Sequence, residues 1–246
     1  MLIALLSDIH ANREALEACL ADARMQGAER YVFLGDFVGY GADPKWVIET
    51  CGNMVAAGAV AILGNHDHAV ATRESRMSAI AQTAVAWTVS QLNDRELAFL
   101  ASLPLTHAEA DRIYIHADAT APADWNYVRS ASDATRSMQA SPARLTFHGH
   151  VHRPAVYALS TAMKFNSFVP DTNKPNRLMP QRRWLAVVGS VGQPRDGNPD
   201  ASYAMLDDST DELTYLRVPY NIAAAAKKIA AADLPEALAE RLFRGR

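Results

Sequence analysis

Short apolar runs alternate with amphipathic stretches through the first hundred residues. Residues 2–7 are almost uninterruptedly apolar, which predicts a buried strand. Over residues 12–26 the apolar side chains Leu16, Cys19, Leu20 and Ala23 recur with the helical period, and Gly27 closes the pattern. Residues 31–34 predict a second strand, Pro44 opens a helix carrying Val47, Ile48, Cys51 and Val55, and Gly58 ends it before a third strand over 59–63. Strand–helix alternation of this kind predicts right-handed crossovers and largely parallel pairing, so the first sheet is expected to be covered on both faces. Helical patterns follow at 78–93 and 94–101, up to Pro104.

Strand patterns then dominate, at 112–115, 145–147, 155–159, 185–188, 202–206 and 212–218, the last two forming a hairpin around 207–211. Residues 161–183, rich in Pro, Asn and Arg, predict a loop or excursion, and 221–232 and 235–244 predict terminal helices. No repeat or low-complexity linker divides the chain, so residues 1–246 are expected to form one α/β domain of two sheets flanked by helices.

The 246 residues are 49% apolar and 21% charged with a net charge of −3, which excludes disordered, collagen-like and disulfide-scaffold classes. Cys19 and Cys51 lie inside helical patterns, so buried apolar roles and a reducing compartment are expected. The opening Met-Leu-Ile-Ala-Leu-Leu has no basic flank and runs into Asp8, unlike a signal peptide. No apolar run reaches the ~20 residues that cross a bilayer, so a cytoplasmic location without membrane partners is expected. Acidic and basic residues nearly balance, which argues against a generic nucleic-acid surface. Anion recognition must come from a local site.

Candidate chemistry sits where the strands end. Asp8 and His10 follow the first strand, Gly35 and Asp36 the second, and Gly64, Asn65, His66 and Asp67 the third; His116 follows residues 112–115, and His148, His150 and His152 follow residues 145–147. Carboxyl ends of strands in α/β sheets line ligand crevices, so these segments are predicted to converge. Imidazoles, carboxylates and one amide make the mixed N and O donor set of Zn²⁺, Mn²⁺ or Fe. Asp8, His10, Asp36, Asn65, His116, His150 and His152 are too many donors for one ion, and the Asp36 carboxylate is the natural bridge between two ions about 3.5–4 Å apart. Two divalent ions balanced by few carboxylates stay positive, attract phosphate and activate water. Spacing alone does not apportion the donors between the ions.

Asp8-Ile-His10, Gly35-Asp36, Gly64-Asn65-His66-Asp67, His116 and Gly149-His150-Val-His152 together resemble the signature of calcineurin-like metallophosphoesterases. Ser7–Asn12, Gly35–Gly41 and Gly189–Gly197 are similar to the bacterial phosphodiesterase-like branch, and the similarity spans nearly the whole chain. The resemblance implies a four-layer αββα sandwich of two mixed β-sheets. It implies two divalent ions (Mn, Fe, Zn, Ni or Mg, with Mn favoured), one held by Asp8, His10, Asp36 and His152 and the other by Asp36, Asn65, His116 and His150. It further implies hydrolysis of a small phosphoester, most readily a diester and with nucleotides among the candidates, by in-line attack of a metal-bridging hydroxide. His66 would be the general acid and Asp67 would orient its ring.

Relatives that hydrolyse dinucleoside tetraphosphates or phosphoproteins supply an alternative, and a non-catalytic scaffold on the same fold supplies one of another class. The complete ligand set favours the enzyme. Gly35-Asp36 is not followed by the Asp-Arg-Gly of protein phosphatases, Leu63 stands where those enzymes carry an arginine, and Ala117 follows His116 in place of the usual Gly. Asn12, Tyr40 and Arg195 are candidate substrate contacts, and Trp125 and Tyr127 could stack a base or pack a lid. His68, His107 and His148 fall outside the pattern and are expected to be structural, with His148 alternatively supporting a ligand.

Overall fold

In the computed structural model, which describes residues 1–74 and 77–246, two six-stranded sheets pack face to face. The first contains β1 (Leu2–Leu6), β2 (Arg30–Phe33), β3 (Val60–Ala61), β9 (Pro175–Arg177), β11 (Ala201–Asp207) and β12 (Glu212–Val218), in the order β3-β2-β1-β11-β12-β9. The second contains β4 (Thr106–Glu109), β5 (Arg112–Ile115), β6 (Leu145–His148), β7 (Ala155–Ser160), β8 (Phe165–Phe168) and β10 (Arg182–Val187), in the order β4-β5-β6-β10-β7-β8. Pairing is parallel among β1, β2 and β3 and among β5, β6 and β10, and antiparallel elsewhere, so both sheets are mixed.

The period of two in β1 sends Ile3 and Leu5 between the sheets, against Tyr114, Phe147 and Val188, while Ala4 and Leu6 face the helices on the other side. Those helices are α1 (Arg13–Met25) and α2 (Pro44–Ala56), which carry the free, buried thiols Cys19 and Cys51. The first sheet is therefore covered on both faces, as its apolar runs require. Outside the second sheet, Ala134 and Met138 of α6 (Ala131–Gln139) pack on Leu185 and Val187. Four layers result.

The remaining helices are α3 (Asn65–Thr72), α4 (Ala79–Gln91), α5 (Asp94–Ser102), α7 (Ile222–Ala231) and α8 (Glu236–Arg244). Among the described residues no helix is long and apolar enough to cross a membrane.

Residues 161–183, where a loop or excursion is expected, contain strands. They form β8 at the edge of the second sheet, cross to form β9 at the edge of the first, and return to begin β10. Their side chains are largely polar because edge strands face solvent on one side, which removes the apolar alternation that would announce them.

Candidate metal centre

Five of the seven donors predicted from the sequence sit in left-handed backbone: Asp8 (φ 53°), His10 (49°), Asp36 (56°), His150 (61°) and His152 (59°). Each such residue costs about 1–3 kcal/mol unless its surroundings fix it. Neighbouring loops do so here through main-chain bonds, Asp8 N to Gly35 O at 3.0 Å, His10 N to Asp36 O at 2.9 Å and Gly192 N to Asp8 O at 2.9 Å. Two glycines permit the approach. A Cβ on Gly64 would strike the Asp36 backbone and carboxylate, and one on Gly149 would strike Ser7 Oγ and Asp8 Oδ2. Ala117, in contrast, needs no positive φ, so the absence of a glycine after His116 costs nothing.

The loops bring two donor clusters together, Asp8, His10, Asp36 and His152 in one, and Asp36, His116 and His150 in the other, with each cluster's donor atoms within 4.8 Å of one another. Asn65, at the start of α3, places Oδ1 3.1 Å from His116 Nε2 and joins the second cluster. Asp36 Oδ2 lies 3.6 Å from His10 Nε2 and 3.4 Å from His116 Nε2, so one oxygen faces both groups.

Hydrogen bonds on the far side of each ring show what belongs between these atoms. His10 Nδ1 bonds Val38 O at 3.2 Å, His152 Nδ1 bonds Gln193 O at 2.6 Å, and His116 Nδ1 bonds Leu34 O at 2.7 Å. A carbonyl only accepts, so each Nδ1 carries the proton and each Nε2 presents a lone pair. Yet His10 Nε2 and His152 Nε2 stand 3.2 Å apart, and His152 Nε2 is 3.1 Å from Asp8 Oδ1, a buried oxygen with no hydrogen-bond donor among the described residues. In the second cluster, His150 Nε2 donates to Trp125 O at 2.8 Å, which leaves Nδ1 as its lone-pair nitrogen. Acceptors converging on acceptors fit a cation in each cluster. Carbonyl bonds behind the rings are the usual support of metal-ligating histidines.

Electrostatics agree with this arrangement. Burial opposes ionisation of Asp8 and Asp36, but His152 beside Asp8 and His116 beside Asp36 hold both carboxyls below the usual range. Burial lowers His10 and brings His150 down to about 3, keeping both imidazoles in the neutral form that binds metals. His116 differs: burial pulls it down, but Asp36 overrides that and raises the ring to about 9, so a cation facing Nε2 would have to displace the proton that Asp36 holds there.

His66 lies beside the first cluster, its ring edge-on to His10 at 4.9 Å and to Tyr40 at 4.4 Å. Its Nδ1 has no partner among the described residues, and burial lowers the ring to about 4. Asp67 does not orient that ring, contrary to expectation. Its Oδ1 accepts Val38 N–H at 3.1 Å and its Oδ2 accepts Gly64 N–H at 3.0 Å, so Asp67 ties the Asp36 loop to the start of α3.

Asn12 is likewise not placed for substrate. Its Oδ1 caps α1 through Ala15 N at 3.2 Å, and its Nδ2 donates to Gly192 O at 2.9 Å and Tyr220 Oη at 3.3 Å. Tyr40 and Arg195 do reach the cleft of about 980 Å³ whose lining includes Asp36, His66, His150 and His152, with the Arg195 guanidinium 5.7 Å from the Tyr40 ring centre. Trp125 and Tyr127 also line it, Tyr127 stacked on His150 at 4.0 Å.

His148 is fully buried with neither nitrogen bonded to a side chain among the described residues; His107 lies 3.6 Å from Glu109, and His68 stands at the cleft beside Trp125. The supporting carbonyls of Leu34, Val38, Trp125 and Gln193 escape sequence reasoning, since a backbone oxygen carries no residue signature. Arg241 and Arg246, also in the cleft lining, escape it because they lie far along the chain from every motif.

The calcineurin-like phosphoesterase superfamily domain matches residues 1–211. The chain is 35% identical to the uncharacterized protein MJ0912 of Methanocaldococcus jannaschii, over all of this chain and 98% of that one. Among solved structures, a metallophosphoesterase from Sphaerobacter thermophilus aligns with a TM-score of 0.88 and 34% identity, over all of this chain and 99% of that one. The hypothetical protein PH1004 of Pyrococcus horikoshii shares the fold, with a TM-score of 0.79 and 19% identity over all of this chain and 98% of that one. A domain match over most of the chain, together with the αββα layers, makes this protein a member of the calcineurin-like phosphoesterase superfamily and a metal-dependent phosphoester hydrolase.

Proposed function

We propose that the protein is a binuclear phosphodiesterase acting on a small phosphoester, with manganese the favoured metal and the cytoplasm, where its two buried thiols stay reduced, its location. The observation that carries this reading is the single buried oxygen, Asp36 Oδ2, facing both donor clusters in the wall of an open cleft. Asp8, His10, Asp36 and His152 would hold one ion, and Asp36, Asn65, His116 and His150 the other. Such a pair, when bound, supplies a water acidified towards neutrality and neutralises phosphoryl oxygens.

The chain's own residues do the rest. Only Asp8 and Asp36 bring negative charge to the clusters, so the loaded centre stays positive and draws an anionic substrate. Arg195, half-buried beside Tyr40, offers a planar fork to a phosphoryl oxygen. His66, beside the first cluster, would protonate a leaving alkoxide; burial keeps it neutral until phosphate charge beside it favours the imidazolium. Leu63 precedes Gly64, so no guanidinium is present there to grip the extra charge of a monoester, which favours a diester. Trp125 and Tyr127 at the cleft favour a substrate with a base to stack.

The test is metal analysis of the purified protein with hydrolysis of bis(p-nitrophenyl) phosphate and p-nitrophenyl phosphate in Mn²⁺. The diester is expected to be the better substrate. Near-zero turnover of both with the metal sites filled would overturn the reading, and faster turnover of the monoester would overturn its diester part.

A further inference from the structure

The cleft of about 980 Å³ is at the upper end of the range of about 300–1,000 Å³ usual for small-molecule sites. A bare diester group on the metal centre would fill a small part of it. Three arginines line the cleft: Arg195, Arg241 and Arg246. The last two belong to α8 and the residue pair that follows it, beyond the segment 1–211 that the superfamily domain matches.

They are not on a loose tail. Leu238 and Leu242 of α8 pack with Ala225 and Ile229 of α7. Gly245, in left-handed backbone at φ 59°, accepts Gly197 N–H at 2.9 Å and lies so near Asn198 that a Cβ would come within 2.7 Å of its backbone. Arg246 N closes back on Arg241 O at 3.3 Å. The end of α8 is thus seated on the loop that carries Arg195, and Arg195 faces Tyr40, whose ring packs on His66 and His10. Their helix neighbour Arg244 is paired with Glu240 at 3.5 Å, whereas among the described residues no carboxylate stands at ion-pair distance from Arg241 or Arg246. The carboxylates lining the cleft are Asp36, committed to the donor clusters, and Glu74 and Asp124. Guanidiniums that line a cleft with no carboxylate at ion-pair distance are suited to a multiply charged anion such as a phosphoryl group.

We infer that Arg241 and Arg246, beyond Arg195 in the cleft, form a second anion subsite that recognises an additional phosphoryl group of the substrate, remote from the ester bond that is cleaved. The inference rests on the phosphodiesterase reading, and it names the class of substrate: a phosphodiester that carries a further phosphate.

Adenylyl-adenosine with and without a 5′-terminal phosphate provides the comparison, because the two differ in that group alone. Calorimetry on the Mn²⁺-loaded protein is expected to show the phosphorylated dinucleotide bound about tenfold more tightly, the worth of one charge-assisted pair. In the Arg241→Ala/Arg246→Ala double variant the difference should largely vanish, while Arg241→Lys/Arg246→Lys should keep part of it. Metal content and melting temperature report that each variant is folded. Equal binding of the two dinucleotides by the wild type, or a preference unchanged in the double variant, overturns the subsite. A preserved preference in a protein that fails to turn over bis(p-nitrophenyl) phosphate would leave the subsite standing and sink the phosphodiesterase reading instead.

Discussion

A histidine beside two buried carboxylates can be ligand, acid or packing, and the bonds of its two nitrogens decide which. His10, His116 and His152 give Nδ1 to a carbonyl and His150 gives Nε2, which leaves each one lone pair directed at the clusters. His66 has no such support and can change its protonation without disturbing a ligand. His66→Ala should therefore lower kcat by about 10²–10⁴ while metal content, measured by elemental analysis, stays that of the wild type. His150→Ala should lose metal first and activity with it. The seven residues that the two clusters bring together were legible as residue types stranded at strand ends. The orienting role that the resemblance implies for Asp67 has no bond to His66 beside it; the N–H groups of Val38 and Gly64 take its carboxylate.

The helices and strands that carry these residues were legible in proportion to their apolar periodicity. Helix α1 shows how a polar residue next to a motif can belong to the element and not to the site. Asn12 satisfies an orphan N–H at the helix start and ties it to Gly192. Asn12→Ala should cost about 1–2 kcal/mol in chemical denaturation and leave the KM for bis(p-nitrophenyl) phosphate unchanged; a raised KM with unaltered stability would return Asn12 to the substrate. Helix α3 was hidden because its first residues, Asn65 to Asp67, are chemical and not amphipathic. In α6, low-propensity Ser, Asp and Thr masked a helix whose Ser130 and Asp133 form a capping box, a signal that could have found it. The short strands β4, β8 and β9 take their pairing from neighbours and not from their own pattern.

For the molecule as a whole, the centre lies where the two sheets meet. Asp8, Asp36 and Asn65 come from the loops of the first sheet, and His116, His150 and His152 from those of the second. Ions held between them would bind the folded chain alone, so chelation should lower the melting temperature. Metal at a hundred times its Kd is worth about 2.7 kcal/mol per site by mass action. Scanning calorimetry with and without chelator checks this, and an unchanged melting temperature would place the ions elsewhere. The change from strand–helix alternation to successive strands, ending in the β11–β12 hairpin, was readable from the change in rhythm along the chain. The crossing of residues 161–183 between the sheets was not, because it depends on which distant edge each segment finds.

The oxygen of Asp36 that faces both clusters makes the two halves of the centre partners in loading. Filling one half fixes that carboxylate and spends part of its charge, so the isotherm for the second equivalent should depart from independent binding. A protein prepared with a single equivalent would then hold a mixture of populations whose composition depends on how the metal was added. Stoichiometric titration, followed metal by metal, would reveal that dependence.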